Sequence, residues 1–352
     1  MDQTHASGPG KVAAPAVRRP KPEGEAASLE PVLAALDLGT NNCRLLIAAP
    51  DAQQAQGFAV IDAFSRIVRL GEGLSRNKHL QDDAIARTLS ALAMCRRKLQ
   101  RNRVTHARAV ATEACRRAGN GAEFLARASQ VLGMRIEIID SGEEARLAML
   151  GCAPLLDAAA GQAIMFDIGG GSTELIWMRR AAGSGAAELI DHVSLPCGVV
   201  SLTEEFGHDR IADGDYAAMV ARVHGRLQGF EQKHNIAATL HDGAVQMIGS
   251  SGTVTTLAGV LRGLPRYQRA LIDGCVMQAA EARQVSEQIR VLDYRGRAAI
   301  PCIGDERADL VVAGCAILQA IIETWPVKEF RIGDRGLREG MLTDLLAELR
   351  AP

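Results

Sequence analysis

An aspartate leading into a glycine turn between two apolar runs occurs twice in the sequence. One copy is Leu36-Asp37-Leu38-Gly39-Thr40-Asn41-Asn42-Cys43-Arg44-Leu45, and the other is Phe166-Asp167-Ile168-Gly169-Gly170-Gly171-Ser172-Thr173-Glu174-Leu175. A glycine turn lets backbone N–H groups come close to an anion, and a carboxylate at its start can hold a hydrated divalent cation beside that anion. Superposed on their aspartates, the segments keep Asp, Gly and Leu in register, and Arg44 falls opposite Glu174. Two related half-sites facing one ligand are implied, and the ligand is a phosphate chain with magnesium, or manganese in its place. Asp37, Asp167 and Glu174 offer carboxylates to the metal. Gly39, Gly169, Gly170 and Gly171 offer open backbone, Thr40, Ser172 and Thr173 hydroxyls, Asn41 and Asn42 amides, and Arg44 a guanidinium. Each turn taken alone also fits an ordinary tight hairpin.

Further segments suit the same chemistry. Ile248 to Leu257 reads as a strand, a Gly/Ser loop and a helix start, so the amides around Ser251, Gly252 and Thr253 favour an anion, although a plain strand-to-helix turn has the same sequence. The segment Gly333 to Gly340 has a similar form. In Asp140-Ser141-Gly142-Glu143-Glu144-Ala145-Arg146-Leu147, Ser141 and Glu144 have the spacing of a capping box. The other account makes one of the two glutamates the general base that phosphoanhydride hydrolysis requires, and position alone leaves both open. Thr112 and Arg116 follow a short strand and stand at an expected cleft edge. The run Arg96, Arg97, Lys98, Arg101, Arg103 and Arg108 reads as a solvated cationic face, with a polyanion track as the other reading. The eight histidines show no metal-ligand spacing, and the pairs His208-Asp209 and His241-Asp242 read as surface residues.

The elements that would position these groups follow from hydrophobic period. Val32 to Leu36, Cys43 to Ala49 and Ala59 to Leu70 read as strands, and Ile85, Leu89, Leu92 and Leu99 line a helix opened by Asp82 or Asp83 as N-cap. Ala107 to Ala111 and Arg135 to Ile139 are short strands around a helix that ends at Gly133. The second half repeats this plan, giving two βββαβα-like halves with a cleft between them. The predicted organisation is a disordered, Pro/Ala-rich tail over 1–28 that includes Arg18, Arg19 and Lys21, a first domain over 29–146, and a second over 147–336. A last helix over about 337–352 is expected to pack back on the first domain.

Composition narrows the partners. The formal charge of −1 gives no general attraction for a polyanion, and 3% aromatic content leaves too few stacking platforms for single-stranded nucleic acid. The eight cysteines form no Cys-x-x-Cys pair, so neither a disulfide framework nor a zinc site is expected. No apolar run is long enough to span a membrane and the first 30 residues hold no apolar signal core, which points to a cytoplasmic protein without membrane partners.

The order of motifs resembles the exopolyphosphatase and guanosine pentaphosphate phosphatase family from about residue 32 to the end. The resemblance rests on Asp37-Leu-Gly-Thr-Asn with Arg44, Ala111-Thr112 with Arg116 and Asn120, Gly142-Glu143-Glu144-Ala145-Arg146-Leu147, Asp167-Ile-Gly-Gly-Gly-Ser-Thr-Glu-Leu, Gly252-Thr253 and Gly336-Leu-Arg-Glu-Gly. It implies an α/β fold of two duplicated ribonuclease-H-like, actin-like domains with an interdomain cleft. It also implies magnesium dependence, a homodimer, and removal of terminal phosphate from inorganic polyphosphate or from guanosine pentaphosphate. By motif, Glu144 matches the catalytic glutamate, Asp167 and Glu174 the carboxylates near metal and water, Gly169 to Ser172 a phosphate loop, and Arg116 a phosphate-contacting arginine. Three departures stand out: Asn42 replaces the family's usual Ser, Glu113 occupies a position usually small and neutral, and the long C-terminal helical region of larger members is absent. A carboxylate at position 113 is unfavourable beside a phosphate unless it points away.

Overall fold

The computed structural model describes residues 31–183, 185–240 and 245–351. The expected tail and the His241-Asp242 pair lie outside the described residues. Two mixed sheets form. The first contains β1 (Leu33–Leu38), β2 (Asn42–Pro50), β3 (Phe58–Ile67), β4 (His106–Ala111) and β5 (Glu137–Ile138) in the order β3-β2-β1-β4-β5. The second contains β6 (Gln162–Ile168), β7 (Thr173–Arg180), β8 (Ala187–Leu195), β9 (Val245–Ser250), β10 (Val276–Gln278) and β11 (Glu329–Gly333) in the order β10-β11-β9-β6-β7-β8.

The sheets are built alike. In each, three antiparallel strands are followed by strands parallel to the first of them, β4 beside β1 and β9 beside β6. Even the local irregularity repeats: β2 slips against β3 between Ile47 and Ala48, and β7 slips against β8 between Trp177 and Met178, the same place once Asp37 and Asp167 are superposed. The fold is actin-like, a duplicated α/β architecture.

Both faces of the first sheet are covered, so β1 reads as a continuous apolar run rather than an alternation. Ala34, Leu36 and Leu38 pack with Ile85, Leu92, Phe124 and Leu132 from the helices Asp82–Arg101 and Gly121–Leu132. Leu33 and Ala35 face the other way, onto Leu147, Met341 and Leu342. The latter come from the helices Ser141–Cys152 and Leu337–Arg350, which cross without side chains between them. A Cβ on Gly340 would lie 2.0 Å from the Leu147 carbonyl oxygen, and one on Gly151 would lie 2.0 Å from that of Gly336. The helix Ser141–Cys152 also packs Ala145, Ala148, Met149 and Cys152 against Met165, Ile176 and Ile248 of the second sheet. The boundary expected at residue 146 therefore falls inside one continuous helix that serves both sheets.

Two local expectations change. Gln81, in extended conformation, precedes the helix Asp82–Arg101, so both aspartates lie in its first turn, where their charge meets the positive helix end. At the second helix start the cap is Asp140, whose carboxylate accepts the Glu143 N–H at 2.8 Å, rather than Ser141. The capping box does not form, and Glu144 is left free of it.

Candidate active site

The two Asp-Gly turns meet at the bottom of a cleft of about 160 Å³ between the sheets. Each turn closes with the same bond: Gly39 N–H donates to the Asn42 carbonyl at 2.9 Å, and Gly169 N–H to the Ser172 carbonyl at 2.9 Å. Asp37 pairs in register with Arg44, and Asp167 with Glu174. A side chain on Gly170 would come within 3.1 Å of Thr40 and 3.2 Å of Asn41, and one on Gly171 within 3.1 Å of both Thr40 and Glu113. These glycines admit the opposite turn as well as leaving backbone open.

The loop is set from behind. The carbonyls of Gly169 and Gly170 accept the N–H groups of Val199 at 3.0 Å and Val200 at 2.8 Å, at the start of the helix Val199–Phe206. Because C=O and N–H of a trans peptide point in opposite directions, the Gly170 and Gly171 N–H groups face away from that helix.

Asp37, Gly39, Thr40, Asn41, Asn42, Arg44, Thr112, Glu144, Asp167, Gly169, Gly170, Ser172, Glu174, Ser251, Gly252 and Thr253 are brought together along the cleft, and Glu113 and Arg307 join them. Three expected residues stand apart. The Thr173 hydroxyl is fully buried and donates to the Cys197 carbonyl at 2.6 Å. Gly171 faces Thr40 and Glu113. Arg116 does not reach the cleft wall: its Nη1 donates to the Glu144 carboxylate at 2.9 Å and to the Ile139 carbonyl at 2.7 Å. Glu113 lines the cleft as well. It is buried between the turns, bound to Arg117 at 2.9 Å and near Arg116 at 3.6 Å, so its charge is countered locally.

At the third loop Ser251 caps the helix Gly252–Leu261 itself, its Oγ accepting the N–H of Thr253 at 3.2 Å and of Val254 at 3.5 Å. Of the amides expected to receive an anion, that of Thr253 is therefore already engaged. Ser251 holds φ at 141°, a backbone region where a non-glycine residue is strained. Gly336, in the fourth loop, lies against Asp167: a Cβ there would be 4.0 Å from its Oδ2.

Besides Glu113, four carboxylates share this space. Loss of hydration pushes Asp167 up to about 6, the nearby Asp37 charge adding to the rise and Arg44 opposing it. Asp37 is raised by the same loss of hydration, against Arg44 and Arg338. Burial holds Glu174 well above the usual range, reinforced by Glu144 and Asp167, despite hydrogen bonds to Oε1 from Ser172 Oγ at 2.5 Å and Ser194 Oγ at 2.9 Å. Glu144 rises to about 7 through desolvation and the charges of Asp37 and Asp167, with Arg116 pulling it down.

Two guanidiniums complete the cleft. Arg44 reaches across toward the second sheet, with Nη2 3.9 Å from where a Gly252 Cβ would sit. Arg307 donates to Thr256 Oγ1 at 2.7 Å, and burial and the Arg44 charge both make its protonated form less favourable. Its segment is fixed by Arg297, fully buried, which donates to the carbonyls of Ala308 at 2.8 Å and Leu292 at 2.7 Å. Among the described residues neither Arg44 nor Arg307 has a carboxylate within ion-pair distance. Sequence reasoning missed Arg307 because it belongs to no glycine turn; only folding brings it opposite Arg44.

The donor set fits a hard divalent cation. Acceptor-only carboxylates crowd together, and Asn41 Oδ1 is a buried acceptor with no hydrogen-bond partner in the same wall. No three His, Cys, Asp or Glu side chains among the described residues converge on one point. Magnesium commonly takes one or two carboxylates and completes its shell with water and phosphate oxygens, so Asp37, Asp167 and Glu174 are compatible with it.

Such a duplicated α/β fold, with carboxylates facing guanidiniums across its cleft, defines a phosphate-handling enzyme. The chain belongs to the Ppx/GppA phosphatase family, whose profile matches residues 46–349. It is 29% identical to Exopolyphosphatase 2 of Mycobacterium tuberculosis over 324 residues, covering 89% of this chain and 98% of that protein. The crystal structure of the Aquifex aeolicus family member superposes with a TM-score of 0.73 at 26% identity, over 92% of this chain and 99% of the other. An exopolyphosphatase from Cytophaga hutchinsonii shares the fold with a TM-score of 0.80 at 24% identity, over 90% and 98% of the two chains. The protein is accordingly a phosphatase of this family.

Proposed function

We propose that the enzyme is an exopolyphosphatase, hydrolysing the terminal phosphoanhydride of inorganic polyphosphate and releasing orthophosphate. The observation that carries this reading is the pair Arg44 and Arg307, two like charges held in one cleft with no carboxylate among the described residues within ion-pair distance of either, an arrangement that an anionic chain relieves. Glu144 holds the attacking water and takes its proton, a role suited to a carboxylate near 7. Arg116 fixes the Glu144 carboxylate. Arg44, Arg307 and the Gly170 amide receive non-bridging oxygens as charge develops. One or two of Asp37, Asp167 and Glu174 would hold magnesium, with water and phosphate oxygens completing its shell. When bound, that ion supplies charge neutralisation at the phosphoryl oxygens.

The test is Glu144→Gln. It is expected to fold normally and lose orthophosphate release by about 10²–10⁴-fold; full activity would sink the assignment. Parallel kcat/KM values on long polyphosphate and guanosine pentaphosphate assign the substrate, because the reacting end is shared. Higher values for the pentaphosphate would move the same hydrolysis onto a nucleotide. A homodimer in the cytoplasm is part of the proposal, checked by scattering mass in solution.

A further inference from the structure

A second cavity, an open groove of about 370 Å³, lies behind the glycine loop and is lined by Arg76, Arg117, Arg222 and Arg226 together with Glu204 and Glu205. The arginines come from three separate helices, Leu74–Asn77, Glu113–Arg117 and Asp213–His234. Arg222 and Arg226 are one turn apart, a spacing at which like charges repel. The acids are partly engaged: Glu204 Oε1 accepts the Gly73 N–H at 2.6 Å while its Oε2 is buried without a partner, and Glu205 pairs with Arg222, whose guanidinium also stacks on Phe206 at 5.3 Å. Among the described residues, the side chains of Arg76 and Arg226 have neither a hydrogen bond nor an ion pair. Groove and cleft are back to back: Glu113 lines the cleft, and its partner Arg117 lines the groove.

Spaced guanidiniums along an open groove match an oligophosphate, which carries charge at every unit along its length. No aromatic side chain lines the groove, so it has no platform for a nucleobase. We propose that this groove is a second polyphosphate-binding site, which takes the non-reacting part of a chain whose terminal phosphate is in the cleft. The inference rests on the function proposed above and deepens it.

The test uses the full chain carrying Arg76→Ala and Arg226→Ala, neither of which belongs to the cleft. On long polyphosphate KM is expected to rise about tenfold and its salt dependence to flatten, while kcat/KM on tripolyphosphate holds. An unchanged KM on long chains, or an equal loss on tripolyphosphate, overturns the proposal. Calorimetric binding of long polyphosphate in EDTA, where no turnover is needed, separates the groove from the catalytic reading. Weaker binding by the double variant supports the groove even if wild-type protein releases no orthophosphate; equal binding overturns it. Guanosine pentaphosphate binding is expected to be unaffected, and its selective loss would overturn the assignment to polyphosphate.

Discussion

Replacing Arg116 by Gln separates two roles that the motif alone confuses. In the structure this arginine donates to Glu144 at 2.9 Å and to the Ile139 carbonyl at 2.7 Å, and it does not line the cleft. Glu144 stands near 7, with Arg116 the principal influence lowering it. The two side chains are only 22% and 14% exposed, so solvent screens the pair weakly. A hydrogen bond to a charged group contributes about 1.5–3 kcal/mol, and its loss would raise Glu144 by a further one to two units, roughly. The sign follows: a base with a higher pKa is protonated over more of the acid range, so activity is lost at neutral pH and regained in alkali. At pH 7 the deprotonated fraction would fall about 5- to 50-fold, and kcat/KM with it. The assay is orthophosphate release from polyphosphate between pH 5.5 and 9.5 at fixed ionic strength, with kcat and KM determined separately. The expected result is an acid limb moved upward, with KM little changed and partial rescue by Arg116→Lys. An unmoved limb with a raised KM would refute the reasoning and make Arg116 a phosphate contact, as the family resemblance implies.

Other perturbations test other parts of the structure. Arg307→Ala should raise KM for polyphosphate about 10- to 100-fold, the loss of one charge-assisted contact, with a smaller change in kcat; an unchanged KM would remove Arg307 from the substrate site. Gly340→Ala forces a Cβ to 2.0 Å from the Leu147 carbonyl oxygen and should destabilise by about 1–3 kcal/mol or more, seen as a lower Tm, whereas Gly225→Ala, with open space around it, should not lower it. Asp167 near 6 and Glu144 near 7 are raised above their ordinary values, so the stability they contribute is present below the usual carboxylate range and lost as pH rises through 6 and 7. Magnesium should therefore raise Tm more at pH 8 than at pH 5, and a response that is flat with pH would count against a metal among these carboxylates.

Much of this arrangement was legible before folding because it is local. The turns at Asp37 and Asp167 announce themselves through glycine and hydroxyl residues between apolar runs, and the strands on either side follow from those runs. Less was legible where one local code has two readings. Asp140 and Ser141 are both good caps, and only the observed bond from Glu143 N–H to the Asp140 carboxylate decides between them, leaving Glu144 free. What depends on distant segments was not legible at all. Arg307 becomes a cleft residue through the buried Arg297 and the second sheet, and the Glu113 charge is tolerated because Arg116 and Arg117 follow it on the same short helix.

The glycines of the second turn show how the two halves depend on each other. Three in a row suggest backbone laid bare for a ligand, yet the positions where Gly170 and Gly171 would carry side chains are filled by Thr40, Asn41 and Glu113. Thr40 is in turn packed against Gly71, where a Cβ would meet its Cγ2 at 2.3 Å. The contact between the turns therefore has no slack on either side. It fixes the separation of Asp37 from Asp167, two carboxylates that burial raises and, for Asp167, the Asp37 charge raises further, a pairing that favours a cation. Pressed together without intervening side chains, the two turns form one wall of a single cleft, which neither half would make alone.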